Sequence, residues 1–290
     1  MAADAPHTCY EGCSVPSFQL YLQRSGEHQA MMQSLHSLLP AQFLSIAAGK
    51  NSLDVLGVGS GGGEMDVQIL SLLQSTIPSV PITAGVVEGS SKLVDNFKAL
   101  VGKTADMQTI TFDWHIMHSG DYEKEVLAKA NVKKFDFIHM IQMIYYVDNL
   151  SETIKFYHGL LKSNGRLMII VEAANSGWDV LWKTHCKDLC VGAITEYRSS
   201  REVIASLESL GLKYDEHDIP NSYDITDCFD PSSVDGERLM SFMTGTDHFS
   251  QSFTSEVRAK MLNLLKNTCS TQKDGKVFFN SALKCILVHA

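Results

Sequence analysis

The feature that most limits what this chain can fold into is an alternation of strand-like and helix-like segments that starts at residue 53. Short apolar runs at 53–59 (LDVLGVG), 82–88 (ITAGVVE), 108–115 (QTITFDWH), 135–142 (FDFIHMIQ) and 166–173 (RLMIIVEA) read as strands. Between them lie stretches with helical spacing at 65–75, 90–103, 121–131 and 151–165. Ser90 stands at a capping position, and Asn164-Gly165 read as the close of the fourth helix. This rhythm predicts an α/β fold: a parallel, doubly wound sheet with right-handed crossovers. Strands this continuously apolar suit a sheet covered on both faces.

The flanks differ. Residues 16–46 read as a helical run punctuated by Gly26 and Pro40. After 173 the rhythm breaks. A helix is expected at 200–211, a strand at 212–219, a helical patch at 237–245 and a helix at 255–267. The closing KVFFNSALKCILVHA reads as one strand, and its approach without a tight βαβ step suits an antiparallel direction.

Asp and Glu outnumber Lys and Arg by 33 to 24, for a net charge of −9. That balance argues against nucleic acid, whose phosphates reward a basic surface, and it is compatible with a cationic small molecule. The start of the chain lacks the basic-then-apolar order of a secretory signal, and no apolar run reaches the length of a membrane span. The seven cysteines include two pairs four apart, Cys9/Cys13 and Cys186/Cys190, neither with the second ligand pair that zinc requires. We therefore expect free thiols, no metal and a cytoplasmic protein. Without coiled-coil heptads, a monomer is expected.

The chemistry concentrates where the first strand meets the first helix. Five glycines fall within residues 57–63. Glycine there lets the backbone turn sharply and approach a ligand with no Cβ in the way, and so many glycines are costly unless a ligand needs them. Gly57, Gly59 and Gly62 spell the dinucleotide pattern G-x-G-x-x-G. Gly59, Gly61 and Gly63, with Ser60 between them, spell G-x-G-x-G, which resembles the first motif of class I methyltransferases that bind S-adenosylmethionine. Either family expects an acidic residue after the second strand, and Glu88 occupies that place. The methyltransferase reading is favoured by the closing strand and by Ser119-Gly120-Asp121 after the third strand, where that family contacts adenine, with Ile141 flooring the same pocket.

Longer segments narrow the resemblance: GEHQAM (26–31), GSGGGEMDVQIL (59–70), KFDFIHMIQMIYYV (134–147), SGWDVLW (176–182), LGLKY (210–214) and DITDCF (224–229). From about Phe18 to Ala290 the chain resembles the histamine N-methyltransferase family, in which a carnosine N-methyltransferase is a close relative. The resemblance implies a class I methyltransferase (Rossmann-like) doubly wound seven-stranded sheet, last strand antiparallel, with a helical substrate-binding elaboration. It implies a single domain: a helical cap at 1–46, a cofactor-binding core at 47–175, substrate-side helices and a sixth strand at 176–276, and the final strand at 277–290. Cofactor contacts are implied at Gly59, Ser60, Gly61, Gly63, Glu88, Ser119 and Ile141. Polar substrate contacts are implied at Glu27 and Gln142, and an aromatic pocket from Phe18, Tyr145, Tyr146, Trp178, Trp182 and Phe242.

The sequence departs from the family pattern in four places. Ser281 stands where the family has a substrate-contacting Asn, Ser14 where it has an aromatic, and Leu93 where it has a cofactor-contacting Gln. The loop after Trp182 is shortened, with loss of a pocket Phe. Three of these changes imply a roomier substrate pocket, so carnosine, whose product would be anserine, stands beside histamine as acceptor.

A neutral imidazole nitrogen needs no base to expose its lone pair, so the enzyme's task is positioning, and no catalytic base is named. Glu27 or the Gln142 oxygen suits the other ring N–H, and Glu27 also suits a substrate ammonium. Aromatic faces attract cations and exclude water. Plainer readings stand beside these. Glu27 is also what a solvated carboxylate on an amphipathic helix looks like. Gln142, Tyr145, Tyr146, Trp178 and Trp182 are also plausible as packing residues. His28 and His139 read as structural. Two other functions fit the glycine loop: a nicotinamide-dependent oxidoreductase and a non-catalytic small-amine binding protein.

Overall fold

A computed structural model of the chain describes residues 15–192 and 194–290. Cys9, Cys13 and Ser14 lie outside the described residues. In chain order the helices are α1 (Val15–Ser25), α2 (Glu27–Ala47), α3 (Glu64–Thr76), α4 (Ser91–Lys103), α5 (Ser119–Leu127), α6 (Leu150–Gly159), α7 (Gly177–Thr184), α8 (Cys186–Leu189), α9 (Ser200–Ser209), α10 (Val234–Thr244), α11 (Phe249–Ser252) and α12 (Ser255–Asn267). The strands are β1 (Leu53–Val58), β2 (Ile82–Glu88), β3 (Thr111–Ile116), β4 (Phe135–Ile141), β5 (Leu161–Glu172), β6 (Tyr214–Ile219), β7 (Ser222–Asp224), β8 (Ser270–Lys273), β9 (Lys276–Asn280) and β10 (Leu283–His289).

The described residues divide into two compact units. One takes in 31–171, 202–217 and 285–290; the other takes in residues up to 30, 172–201 and 218–284. The first is built on a seven-stranded sheet of order β3-β2-β1-β4-β5-β10-β6, in which β1 to β5 pair in parallel and the last strand runs antiparallel. Its central strands are apolar because both faces are covered, whereas the edge strands β3 and β6 are more polar and largely exposed. Leu56, Val58, Ile138, Met140, Ile169 and Val171 pack with Ile154 and Tyr157 of α6 and Val203 and Leu207 of α9. Burying each such side chain contributes roughly 1.5–3 kcal/mol. The other unit carries a three-stranded antiparallel sheet, β7-β9-β8, and the helices α1, α7, α10 and α12.

Several sequence expectations need correction. The helix read at 151–165 stops at Gly159, and β5 starts at Leu161. Asn164 and Gly165 lie inside that strand as an irregularity: Phe135 pairs with Leu161 but Phe137 with Arg166, and Asn164 takes a left-handed φ of 64° to absorb the excess residues. Pro40 does not break its run; it sits within α2. Gly26, with φ 61°, does separate α1 from α2. The third strand starts at Thr111, because residues 105–109 form a 3₁₀ turn. The closing segment is two strands, not one: β9 belongs to the small sheet and β10 to the large one, with Ser281 and Ala282 between them.

Candidate active site

In the α/β unit, β1 ends at Val58 and the chain enters the glycine loop. Gly59, Gly61 and Gly63 take φ values of 68°, 56° and 82°, the left-handed region that side chains avoid. A Cβ on Gly63 would lie 2.1 Å from the Phe97 ring, and one on Gly59 would lie 2.7 Å from Met143 Cβ. At Gly61 a Cβ would meet nothing within 4 Å, so the loop there borders open space. α3 follows with Gly63 at its N-cap, leaving its first N–H groups for a ligand or solvent.

Glu88 closes β2 and clamps this loop. One carboxylate oxygen accepts from the Gly61 N–H at 2.9 Å, and the other from the Ser90 N–H at 2.9 Å. Each oxygen retains a lone pair that can accept from a ligand hydroxyl. Ser119 opens α5, and its carbonyl accepts from the Tyr157 hydroxyl at 3.3 Å. Ile141 ends β4 half-buried. Gln142 then turns into the left-handed region, φ 53°, an uncommon conformation for this residue type. Its N–H donates to the Ile170 carbonyl at 2.9 Å, and its side-chain oxygen accepts from the Tyr145 hydroxyl at 2.8 Å. Tyr146, 39% exposed, is the more open of the tyrosine pair.

Beneath the loop lies a polar cluster that sequence reading missed. Asp66, on the first turn of α3, accepts from the Ser60 hydroxyl at 2.8 Å, and its same oxygen stands 3.3 Å from His139 Nε2. Both Asp66 and His139 are buried. Burial raises the Asp66 pKa against the pull of His139 and Ser60, and burial lowers that of His139 against the pull of Asp66. Gly57 leaves the room: a Cβ there would lie 2.2 Å from the Asp66 carboxylate. His139, read as structural, thus braces the loop from below.

In the other unit, aromatic rings gather around Tyr21, whose hydroxyl holds one carboxylate. Glu27, the first residue of α2, is 5% exposed and accepts a hydrogen bond from the Tyr21 hydroxyl. Burial, followed by the charge of Glu27, pushes the Tyr21 pKa well above the ordinary tyrosine range, so this phenol stays a donor. The Tyr21 ring stacks on Phe242 at 4.3 Å and meets Trp178 and Tyr223 edge-on at 5.8 and 5.7 Å. Phe18 lies 5.6 Å from Phe242, and Phe279 lies 5.4 Å from Trp178. Trp182 has a different setting: it stacks on Tyr197, and its N–H donates to the Met243 carbonyl at 3.0 Å. Ser281 is wholly buried just past β9.

A family model described as a methyltransferase domain matches residues 24–217. Histamine N-methyltransferase A of Xenopus laevis is 40% identical over 277 residues, which cover 95% of this chain and 94% of that one. The chain belongs to the histamine N-methyltransferase family. Carnosine N-methyltransferase 2 of Gallus gallus is also similar, 37% identical over 277 residues, covering 95% of this chain and 86% of that one. Among solved structures, the YcgJ protein from Bacillus subtilis matches with a TM-score of 0.55 at 13% identity, over 86% of this chain and 97% of that one, and shares the fold.

Within this histamine N-methyltransferase family member, the positions expected to contact cofactor, Gly59, Ser60, Gly61, Gly63, Glu88, Ser119 and Ile141, all fall in the α/β unit. The substrate-side positions divide. Phe18, Glu27, Trp178, Trp182, Phe242 and Ser281 fall in the unit with the small sheet, and Gln142, Tyr145 and Tyr146 in the α/β unit. Tyr21, Tyr223 and Phe279 were missed. Tyr21 had a signal, since it follows Phe18 by three on one helix face. Among the described residues no three His, Cys, Asp or Glu side chains gather as a metal site, and no helix is long and apolar enough to cross a membrane.

Proposed function

We propose that this chain is an S-adenosylmethionine-dependent N-methyltransferase acting on an imidazole ring nitrogen of histamine or a related imidazole amine such as carnosine. The observation that carries the choice of acceptor is Glu27: a buried carboxylate held by the hydroxyl of Tyr21, whose ring lies in an aromatic cluster. A carboxylate in such a setting favours a cation or a polarised N–H, because rings and low dielectric strengthen the few charges present. The glycine loop fits the proposed cofactor: Gly61 borders open space, and Glu88 anchors the loop with lone pairs to spare for ribose hydroxyls. S-adenosylmethionine, when bound, supplies a methyl group activated on a sulfonium.

The remaining work is done by the chain. Glu27 accepts the ring N–H or pairs with the substrate ammonium, fixing which nitrogen presents its lone pair. Gln142, its oxygen oriented by Tyr145, offers a second acceptor. Phe18, Trp178 and Phe242 hold the ring and exclude water. Trp182, Tyr146 and Ser281 complete the proposed substrate set, and Ser60, Gly59, Gly63, Ser119 and Ile141 the cofactor set. We further propose that the protein acts in the cytoplasm as a monomer without nucleic-acid partners. Its net charge of −9 and the free thiols of Cys186, Cys190, Cys228, Cys269 and Cys285 support this.

The test is turnover of methyl-labelled S-adenosylmethionine with histamine and carnosine side by side, with the products resolved by ring position. Label on an imidazole nitrogen is expected. Cofactor binding without transfer to any imidazole would instead make the chain a binding protein. Tight NADH binding without S-adenosylmethionine binding would make it an oxidoreductase.

A further inference from the structure

The buried polar atoms of the unit with the small sheet that have no hydrogen-bond partner among the described residues include Trp178 Nε1, the Tyr223 hydroxyl and Ser281 Oγ. Their residues are 7%, 3% and 0% exposed. Each unpaired group costs roughly 1–3 kcal/mol, so a fold that keeps three of them in one place has a use for them. Other polar groups beside these rings are paired, since Trp182 donates to Met243 and Tyr21 to Glu27.

The small sheet brings the three together. Tyr223 pairs with Phe279 across the β7–β9 ladder, so the two share a face. Ser281 follows Phe279 by two residues, and its N–H donates to the Asn221 carbonyl at 3.1 Å, which continues the ladder and keeps it on that same buried face. Trp178 stands edge-on to Phe279 at 5.4 Å. The Tyr21 ring contacts both Trp178 and Tyr223. The three residues thus belong to or border the ring cluster whose Tyr21 holds Glu27.

We infer that Tyr223, Trp178 and Ser281 form a second binding subsite, which takes a neutral carbonyl oxygen on the side chain of the imidazole substrate. The inference rests on the imidazole reading above for the ring itself. An indole N–H can only donate, so the missing partner must be an acceptor. Tyr223 donates as well: burial first, then the charges of Cys228, Glu27 and Glu172, push its pKa well above the ordinary tyrosine range. Glu27 and Glu172 also make this a poor place for an anion, which leaves an uncharged acceptor. Histamine has none to give, for its ring N–H and ammonium are donors and its one lone pair takes the methyl group. An acylated imidazole amine supplies an amide oxygen.

Calorimetry on the protein saturated with S-adenosylhomocysteine tests this with histamine, β-alanylhistamine, which adds the amide, and carnosine, which adds the amide and a carboxylate. The wild type is expected to bind β-alanylhistamine more tightly than histamine. Tyr223→Phe should weaken β-alanylhistamine by about tenfold, the loss of one hydrogen bond, and histamine by less than about twofold. Its melting temperature should hold or rise, because no partner within the protein is lost. Equal effects on histamine and β-alanylhistamine, no effect on either, or a drop in melting temperature of several degrees would overturn the proposal. So would a loss confined to carnosine, which would make the carboxylate the feature recognised, or failure of the wild type to bind either acylated compound. Absence of methylated product from every imidazole would count against the function proposed above, and the binding result would stand apart from it.

Discussion

At the residue scale, Glu27 and Glu88 have different duties, and substitution should separate them. Glu27→Gln keeps the shape of the side chain and removes its charge. A charged hydrogen bond is worth about 1.5–3 kcal/mol, so kcat/KM for every imidazole amine should fall by roughly 10- to 150-fold, with cofactor affinity within about twofold. Steady-state kinetics paired with calorimetry reads both, and unchanged kcat/KM would remove Glu27 from the site. Gln142→Ala should follow the same pattern more weakly, since it deletes the acceptor that Tyr145 orients. Glu88→Ala should do the reverse. It frees the Gly61 and Ser90 N–H groups and should weaken S-adenosylmethionine binding by about 1–3 kcal/mol, read by titration. Glu88 was legible from its place after a strand. Glu27 was legible only through family resemblance, because a carboxylate opening an amphipathic helix has the same spacing whether it faces water or a ring cluster. Tyr223 gave no signal, since its value lies in an unmet hydrogen bond that only packing creates.

At the element scale, the glycine loop distinguishes two kinds of glycine. Gly63→Ala places a Cβ on the Phe97 ring, so it should destabilise the α/β unit outright. Gly61→Ala meets nothing within 4 Å and pays only for its φ of 56°, about 1–2 kcal/mol for a left-handed alanine. We expect Gly61→Ala to lose only a few degrees of melting temperature yet weaken cofactor binding by tenfold or more, because the methyl group fills the space beside the loop. Thermal melts with and without S-adenosylmethionine would show it; an unchanged ligand-induced shift would mean that the open side of Gly61 is not the cofactor's. The same contrast between local and distant causes governs what the sequence reveals of the elements. Residues 82–88 and 255–267 were readable to the residue because each is one uninterrupted period between clear breaks. Residues 151–165 were not, because the Asn164-Gly165 pair that ends a helix also fits a strand irregularity, and only pairing with β4 decides between them. The closing segment read as a single strand because alternation continues through Ser281. The change of sheet between β9 and β10 is set by tertiary partners.

At the scale of the molecule, a protein with a net charge of −9 has its acid stability set by the few carboxylates whose pKa folding lowers. Asp136, at the start of β4, is one. It accepts from Lys50 Nζ at 2.7 Å, Lys162 Nζ at 2.8 Å and the Asp54 N–H at 2.8 Å, and Lys162 also reaches Asp54 at 2.6 Å. Burial pushes the Asp136 pKa up, but the Asp54 N–H and the two ammoniums outweigh it, so the net shift is downward. A carboxylate with a lowered folded pKa contributes fully above its unfolded value, about 3.9, and loses that contribution as pH falls through the folded value. Asp136→Asn removes the charge while leaving two lysines and Asp54 behind. At pH 7 this should cost about 2–4 kcal/mol, below the upper range for a broken buried pair because both ammoniums still reach water. Below the unfolded value the unfolded chain takes up the proton more readily than the folded one, so at pH 3 the gap between wild type and variant should be narrower than at pH 7. Urea unfolding followed by circular dichroism at the two pH values measures it. A gap that is constant across pH would mean that Asp136 holds β1 and β4 together by shape and hydrogen bonding alone, and that the acid limb of stability is set by other carboxylates, with Asp179, lowered by its Lys183 and Asn175 partners against burial, the next to test.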